Sequence, residues 1–120
     1  MYTLRVEAAF AAAHSLNSYH GKCETLHGHN YRVRLWIRGD SLEEGGMLAD
    51  FGSLRRILKD TIAQLDHSNL NDNPVFEQNP SAERIARYIF EEASARLSDP
   101  NLLFAVDVFE TPGSMARYER

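Results

Sequence analysis

Residues 27–40, HGHNYRVRLWIRGD, decide the fold. Tyr31, Val33, Leu35 and Ile37 alternate with Asn30, Arg32, Arg34 and Arg38, so an extended segment here has one apolar face and one polar, basic face. A period of two marks a half-buried strand. Trp36 falls on the polar row, which implies that this face is partly covered. His27 and His29 head the apolar row two residues apart, and their imidazoles therefore point to the same side.

The same period appears upstream, where Tyr2, Leu4, Val6, Ala8, Phe10 and Ala12 share one parity and Thr3, Arg5 and Glu7 take the other. A polar loop from Ser15 to Leu26 joins the two strands. From Asp50 the period becomes helical: Phe51, Leu54, Ile57, Leu58, Ile62 and Leu65 form one stripe, and Asp50 is placed to cap it. DHSNLNDNP, residues 66–74, breaks this helix. A second helix is predicted from Asn79-Pro80-Ser81, with Asn79 as cap, Pro80 in the first turn and Ile85, Ala86, Ile89, Phe90 and Ala93 as its stripe, ending by Asp99-Pro100. Leu102, Phe104, Val106 and Val108 open a third strand, and Thr111-Pro112-Gly113-Ser114 turns it into a short fourth over Met115–Glu119. The predicted order is β-β-α-α-β-β, an α+β fold.

At 120 residues, 43% apolar and 25% charged, the chain reads as one domain over residues 1–120 with a modest core, not as a disordered, collagen-like or transmembrane sequence. Thirteen bases against 17 acids give a net charge of -4 without a basic block, so no nucleic acid and no anionic membrane surface is expected as a partner. The single cysteine, Cys23, cannot close an internal disulfide and fits a reducing cytoplasm. Arg5 and Glu7 interrupt what an export signal would need as its apolar run.

His14 has the parity of Leu4, Val6 and Phe10 and ends the first strand where His27 begins the second. In an antiparallel hairpin these ends are neighbours, so His14, His27 and His29 converge as three imidazoles, the donor set of a zinc site that keeps one position open. His20 lies in the connecting loop and reads as a surface residue. Cys23 sits four residues before His27. It reads either as a fourth ligand closing a structural site or as a thiolate base activated by the cation and Lys22; its polar neighbours argue against an inert buried thiol.

Asp66-His67 can supply a general acid/base with an orienting carboxylate, and equally fits helix-end turn chemistry. Glu110 carries the parity of Val106 and Val108. It is either a core-facing carboxylate in need of a partner, an arginine or the N–H groups of a ligand, or an exposed residue at the turn.

The blocks Phe10-Ala-Ala-Ala-His14, Cys23-Glu-Thr-Leu-His27-Gly-His29-Asn-Tyr31, Leu65-Asp-His-Ser-Asn-Leu-Asn-Asp72 and Glu110-Thr111 resemble the 6-pyruvoyl-tetrahydropterin synthase family. The spacing from the cysteine to His-Gly-His is most similar to that of bacterial 6-carboxy-tetrahydropterin synthases of the queuosine pathway. The resemblance implies the tunnelling fold (T-fold): two helices on one face of a four-stranded antiparallel sheet, with subunits joined edge to edge into trimers and stacked as hexamers. It implies zinc on His14, His27 and His29, catalysis by Cys23, Asp66 and His67, and a pterin anchored by Glu110. Ser81 and Glu83, in Pro80-Ser81-Ala82-Glu83, match the start of the helix that lines the pterin pocket, with one hydroxyl fewer than usual. The implied reaction is zinc-dependent cleavage of a small-molecule pterin triphosphate, 7,8-dihydroneopterin triphosphate, to 6-carboxy-5,6,7,8-tetrahydropterin, acetaldehyde and triphosphate. Formation of 6-pyruvoyl-tetrahydropterin, side-chain cleavage to a hydroxymethylpterin, and a non-catalytic zinc module closed by Cys23 are the alternatives. No G-x-G-x-x-G is present, and no nicotinamide or flavin is expected.

Overall fold

The computed structural model describes residues 1–17 and 25–120. Its centre is the hairpin of β1 (Tyr2–His14) and β2 (His27–Gly39), antiparallel and in register from Tyr2 opposite Gly39 to His14 opposite His27. Helix α1 (Phe51–Ile62) follows, then β3 (Ser68–Asn69), α2 (Ala82–Arg96), β4 (Leu103–Thr111) and β5 (Ser114–Glu119). The sheet runs β3-β1-β2-β4-β5.

The four long strands are antiparallel as expected, but the sheet has five strands and is mixed, because β3 pairs in parallel with β1 through Ala12 and Ala13. The added strand arises where the chain leaves α1. His67 takes a left-handed backbone, φ 57°, and its N–H donates to the Ala11 carbonyl at 2.6 Å, which lays Ser68 and Asn69 along β1. Two residues of polar turn sequence carry no alternation from which such a strand could be read.

Both helices pack on the face formed by Tyr31, Val33, Leu35 and Ile37, each fully buried. Asp50 caps α1 by accepting from the Ser53 N–H at 2.8 Å, and Leu54, Leu58 and Ile62 enter the core. Phe51, expected in that stripe, is 52% exposed at the first turn. In α2 the cap is Ser81 and not Asn79, so Pro80 lies just outside the helix rather than in its first turn. Ile85, Ala86, Ile89, Phe90 and Ala93 form its buried stripe as expected. Each buried leucine, isoleucine or phenylalanine among them contributes about 1.5–3 kcal/mol by leaving water.

A bulge alters the reading of β4. Trp36 is opposite Ala105 and Ile37 opposite Leu103, which leaves Phe104 as an extra residue. Parity therefore reverses: Leu103 is buried in the core, and Phe104, expected inside, lies on the outer face with the Arg38 guanidinium 3.6 Å from its ring centre. Leu102 ends a short 3-10 turn before the strand. On the same face Trp36 Nε1 donates to Asp107 at 2.7 Å, and Arg117 Nε meets that carboxylate at 2.6 Å. This layer covers the tryptophan.

β5 is one edge of the sheet; at the other, β1 has no strand beside residues 2–11 among the described residues. Among those residues no helix is long and apolar enough to cross a membrane.

Candidate metal centre

His14 and His27 face each other across the hairpin end, and His29 joins them from the same row of β2. Their ring centroids are 4.7, 5.0 and 4.8 Å apart pairwise, at steep interplanar angles, so three imidazole edges converge. Glu110, near the end of β4, completes the group: its Oε1 lies 2.8 Å from His29 Nε2 and 3.2 Å from His14 Nε2. One ligand atom from each of the four residues lies within 4.8 Å of the others.

Backbone carbonyls orient two of the rings. His14 Nδ1 is 2.9 Å from the Pro80 carbonyl and His27 Nδ1 2.7 Å from that of Thr25. A carbonyl only accepts, so each Nδ1 carries the proton and each Nε2 of the neutral ring presents a lone pair. His14 Nε2 is buried, makes no hydrogen bond among the described residues, and faces a carboxylate oxygen. Two acceptors so placed can share a cation between them. Zinc takes imidazole nitrogen and carboxylate oxygen and separates neighbouring ligand atoms by about 3.3 Å in a tetrahedral site, so the donor set fits that ion. Tyr31 lies beneath the imidazoles, fully buried, and burial, with the Glu110 carboxylate adding to it, pushes its phenol above the usual range.

Two cavities each share a member with the cluster. One, of about 510 Å³, is lined by His29, His67, Ser68, Asn69 and Gly28 among others. The other, of about 440 Å³, is lined by Glu110, Glu83, Ala82, Ser114, Met115 and Arg117 among others. Both have the size of small-molecule sites.

Asp66 and His67 stand outside the four-residue group. Asp66 Oδ1 accepts from the Ala11 N–H at 2.9 Å and lies 3.0 Å from His67 Nδ1. The Ala11 N–H foremost, and His67 after it, hold the Asp66 carboxyl below its usual range. The His67 side chain is 83% exposed. Ser81 Oγ accepts from the Arg84 N–H at 3.2 Å as the helix cap. Cys23, His20 and Lys22 lie outside the described residues, so their readings rest on the sequence alone.

Three parts of the site went unread in the sequence: the carbonyls of Pro80 and Thr25, and Asn71. The Asn71 side chain accepts from the Ser15 N–H and donates to the Ser15 carbonyl, both at 2.8 Å, pinning the chain just past His14. Main-chain carbonyls leave no mark in a sequence, and Asn71 lies in a segment dense with equivalent polar residues.

Fold and donor set together define an α+β domain with a histidine-carboxylate group able to hold a metal ion. A family model described as 6-pyruvoyl tetrahydropterin synthase matches residues 3–120, and the chain belongs to that family. It is 39% identical over 125 residues to a Synechocystis 6-carboxy-5,6,7,8-tetrahydropterin synthase, covering 98% of this chain and 93% of the relative. A Bacillus subtilis protein of the same name is 32% identical over 126 residues, covering 98% and 84%. Among solved structures, the Caenorhabditis elegans 6-pyruvoyl tetrahydropterin synthase superposes with a TM-score of 0.86 at 26% identity, covering 99% of this chain and 95% of that one.

Proposed function

We propose that this chain is a zinc-dependent carbon-carbon lyase that converts 7,8-dihydroneopterin triphosphate and one water to 6-carboxy-5,6,7,8-tetrahydropterin, acetaldehyde and triphosphate. The observation that carries the reading is the convergence of His14, His27 and His29, with the Nδ1 atoms of His14 and His27 committed to backbone carbonyls, so that the Nε2 atoms of those two rings present lone pairs to a metal. The names of the Synechocystis and Bacillus relatives favour the 6-carboxy product.

His14, His27 and His29 would hold the zinc, which supplies Lewis-acid chemistry toward the side-chain hydroxyls of the substrate. Glu110 accepts the pterin N3–H and 2-amino group side by side, a bidentate pair that orients the ring in the cavity it shares with Glu83. The Ser81 hydroxyl uses its oxygen as helix cap and keeps its hydrogen to donate toward the substrate. Cys23 takes a proton from the side chain. Asp66, held ionised by the Ala11 N–H, accepts from His67 Nδ1 and leaves its Nε2 available to pass the proton on. The hydrogens that the side chain loses are those the pterin ring gains, so no separate redox cofactor is required.

The product serves a 7-deazapurine route of the queuosine type, in the cytoplasm. The unpaired edges at β1 and β5 support assembly of this chain into a trimer or a dimer of trimers. Purified zinc-loaded protein incubated with 7,8-dihydroneopterin triphosphate, with the pterin identified by mass, tests the reaction. The 6-carboxy product with acetaldehyde is expected. A 6-pyruvoyl or 6-hydroxymethyl pterin would reassign the reaction within the family, and no conversion would leave a structural zinc module. Light scattering tests the assembly, and a monomer at micromolar concentration would overturn it.

A further inference from the structure

Tyr31 is fully buried, and its hydroxyl makes no hydrogen bond among the described residues. Such a group stands at a cost unless the working state of the site supplies its partner. The ring cannot swing away, since it is stacked on Phe10 at 4.8 Å and 13° within the core. His14 and His29 meet it edge-on, with centroids at 5.9 and 5.5 Å. Those are the two imidazoles whose Nε2 atoms lie against Glu110 Oε1. Tyr31 and Glu110 therefore approach the same pair of rings, one as an unused donor and the other as an acceptor.

With the Nε2 lone pairs of the imidazoles taken up by a metal, the Glu110 carboxylate would need another hydrogen-bond donor. We infer that Tyr31 is the positioning residue of Glu110: its hydroxyl donates to the carboxylate and sets the plane in which Glu110 meets the pterin. A carboxylate has about four lone-pair sites, enough for the phenol and both pterin N–H groups at once. The inference rests on the reading that Glu110 anchors the pterin.

The test is Tyr31→Phe, which keeps the ring and removes only the oxygen. Zinc-loaded protein is titrated calorimetrically with neopterin, a pterin without the triphosphate, and zinc content and Tm are measured alongside. Zinc is expected to stay at wild-type level, Tm to hold or rise, and neopterin to bind about tenfold more weakly, the scale of one hydrogen bond to a charged group. With substrate, KM should rise by more than kcat falls. In a Glu110→Gln background, Tyr31→Phe should add nothing further. Unchanged neopterin affinity, the same loss in the Glu110→Gln background, or loss of zinc would each overturn the inference. If Glu110→Gln alone binds neopterin as wild type does, the anchoring reading falls and this inference with it. A wild type that binds neopterin but does not turn over the triphosphate would remove the synthase reading alone, with the coupling of Tyr31 to Glu110 still measurable.

Discussion

His14 and Pro80, 66 residues apart in the chain, are joined by a 2.9 Å hydrogen bond from imidazole to prolyl carbonyl. The bond ties the end of β1 to the entrance of α2. The carbonyl is available because Ser81, and not Asn79, caps the helix, which leaves Pro80 outside the helical ladder. Where α2 begins thus decides which nitrogen His14 turns toward the metal.

This makes His14 and His27 unequal. Either change to alanine should abolish zinc binding, read by metal analysis. His14→Ala should also destabilise the metal-free protein by about 1–3 kcal/mol, because the Pro80 carbonyl loses its buried partner. The carbonyl facing His27 belongs to exposed Thr25, so His27→Ala should cost under about 1 kcal/mol. Urea unfolding after chelation measures both. Undiminished zinc in His27→Ala would remove that residue from the ligand set.

Cys23→Ala should retain about one zinc per chain and the wild-type Tm, and lose turnover, since a base contributes only during the reaction. Loss of zinc would return Cys23 to the fourth-ligand reading. A kcat near wild type would pass the proton to His67 or to a zinc-bound hydroxide.

Asp107 is 2% exposed and joins Arg117 to Trp36 on the outer face. Asp107→Ala should cost about 2–3 kcal/mol, below the ~3–5 of a fully buried pair because Arg117 reaches solvent. Trp36 is the sole tryptophan, so its fluorescence reports the change directly. An unaltered emission spectrum and unfolding midpoint would show the cluster to be solvated.

Glu7 accepts from Arg34 and Arg32 at 2.8 and 2.7 Å, and these bonds, Arg34 first, hold its carboxyl below the usual 4.5. A depressed folded pKa means that the group stabilises the fold above its unfolded value and that this is lost as pH falls through the folded one. Wild type should exceed Glu7→Gln by about 0.5–1 kcal/mol near pH 7, and the gap should close as pH falls below the ordinary carboxyl range and through the depressed folded value. A gap independent of pH would mean that the carboxylate charge plays no part.

Local chemistry by itself determined the hairpin, the two helices and the convergence of three histidines, because strand parity and helical stripes are written in neighbouring residues, and β1 opposite β2 turns two parities into one site. The tertiary structure alone decided the rest. Phe104 faces outward because a bulge reversed the parity of β4, and a bulge depends on how two distant strands meet. β3 exists because the left-handed turn at His67 lets its N–H reach Ala11. Glu110 comes to His14 and His29 only once β4 is paired to β2. The carbonyls that orient the imidazoles are chosen by where chain segments stop, a property that side-chain identity does not encode.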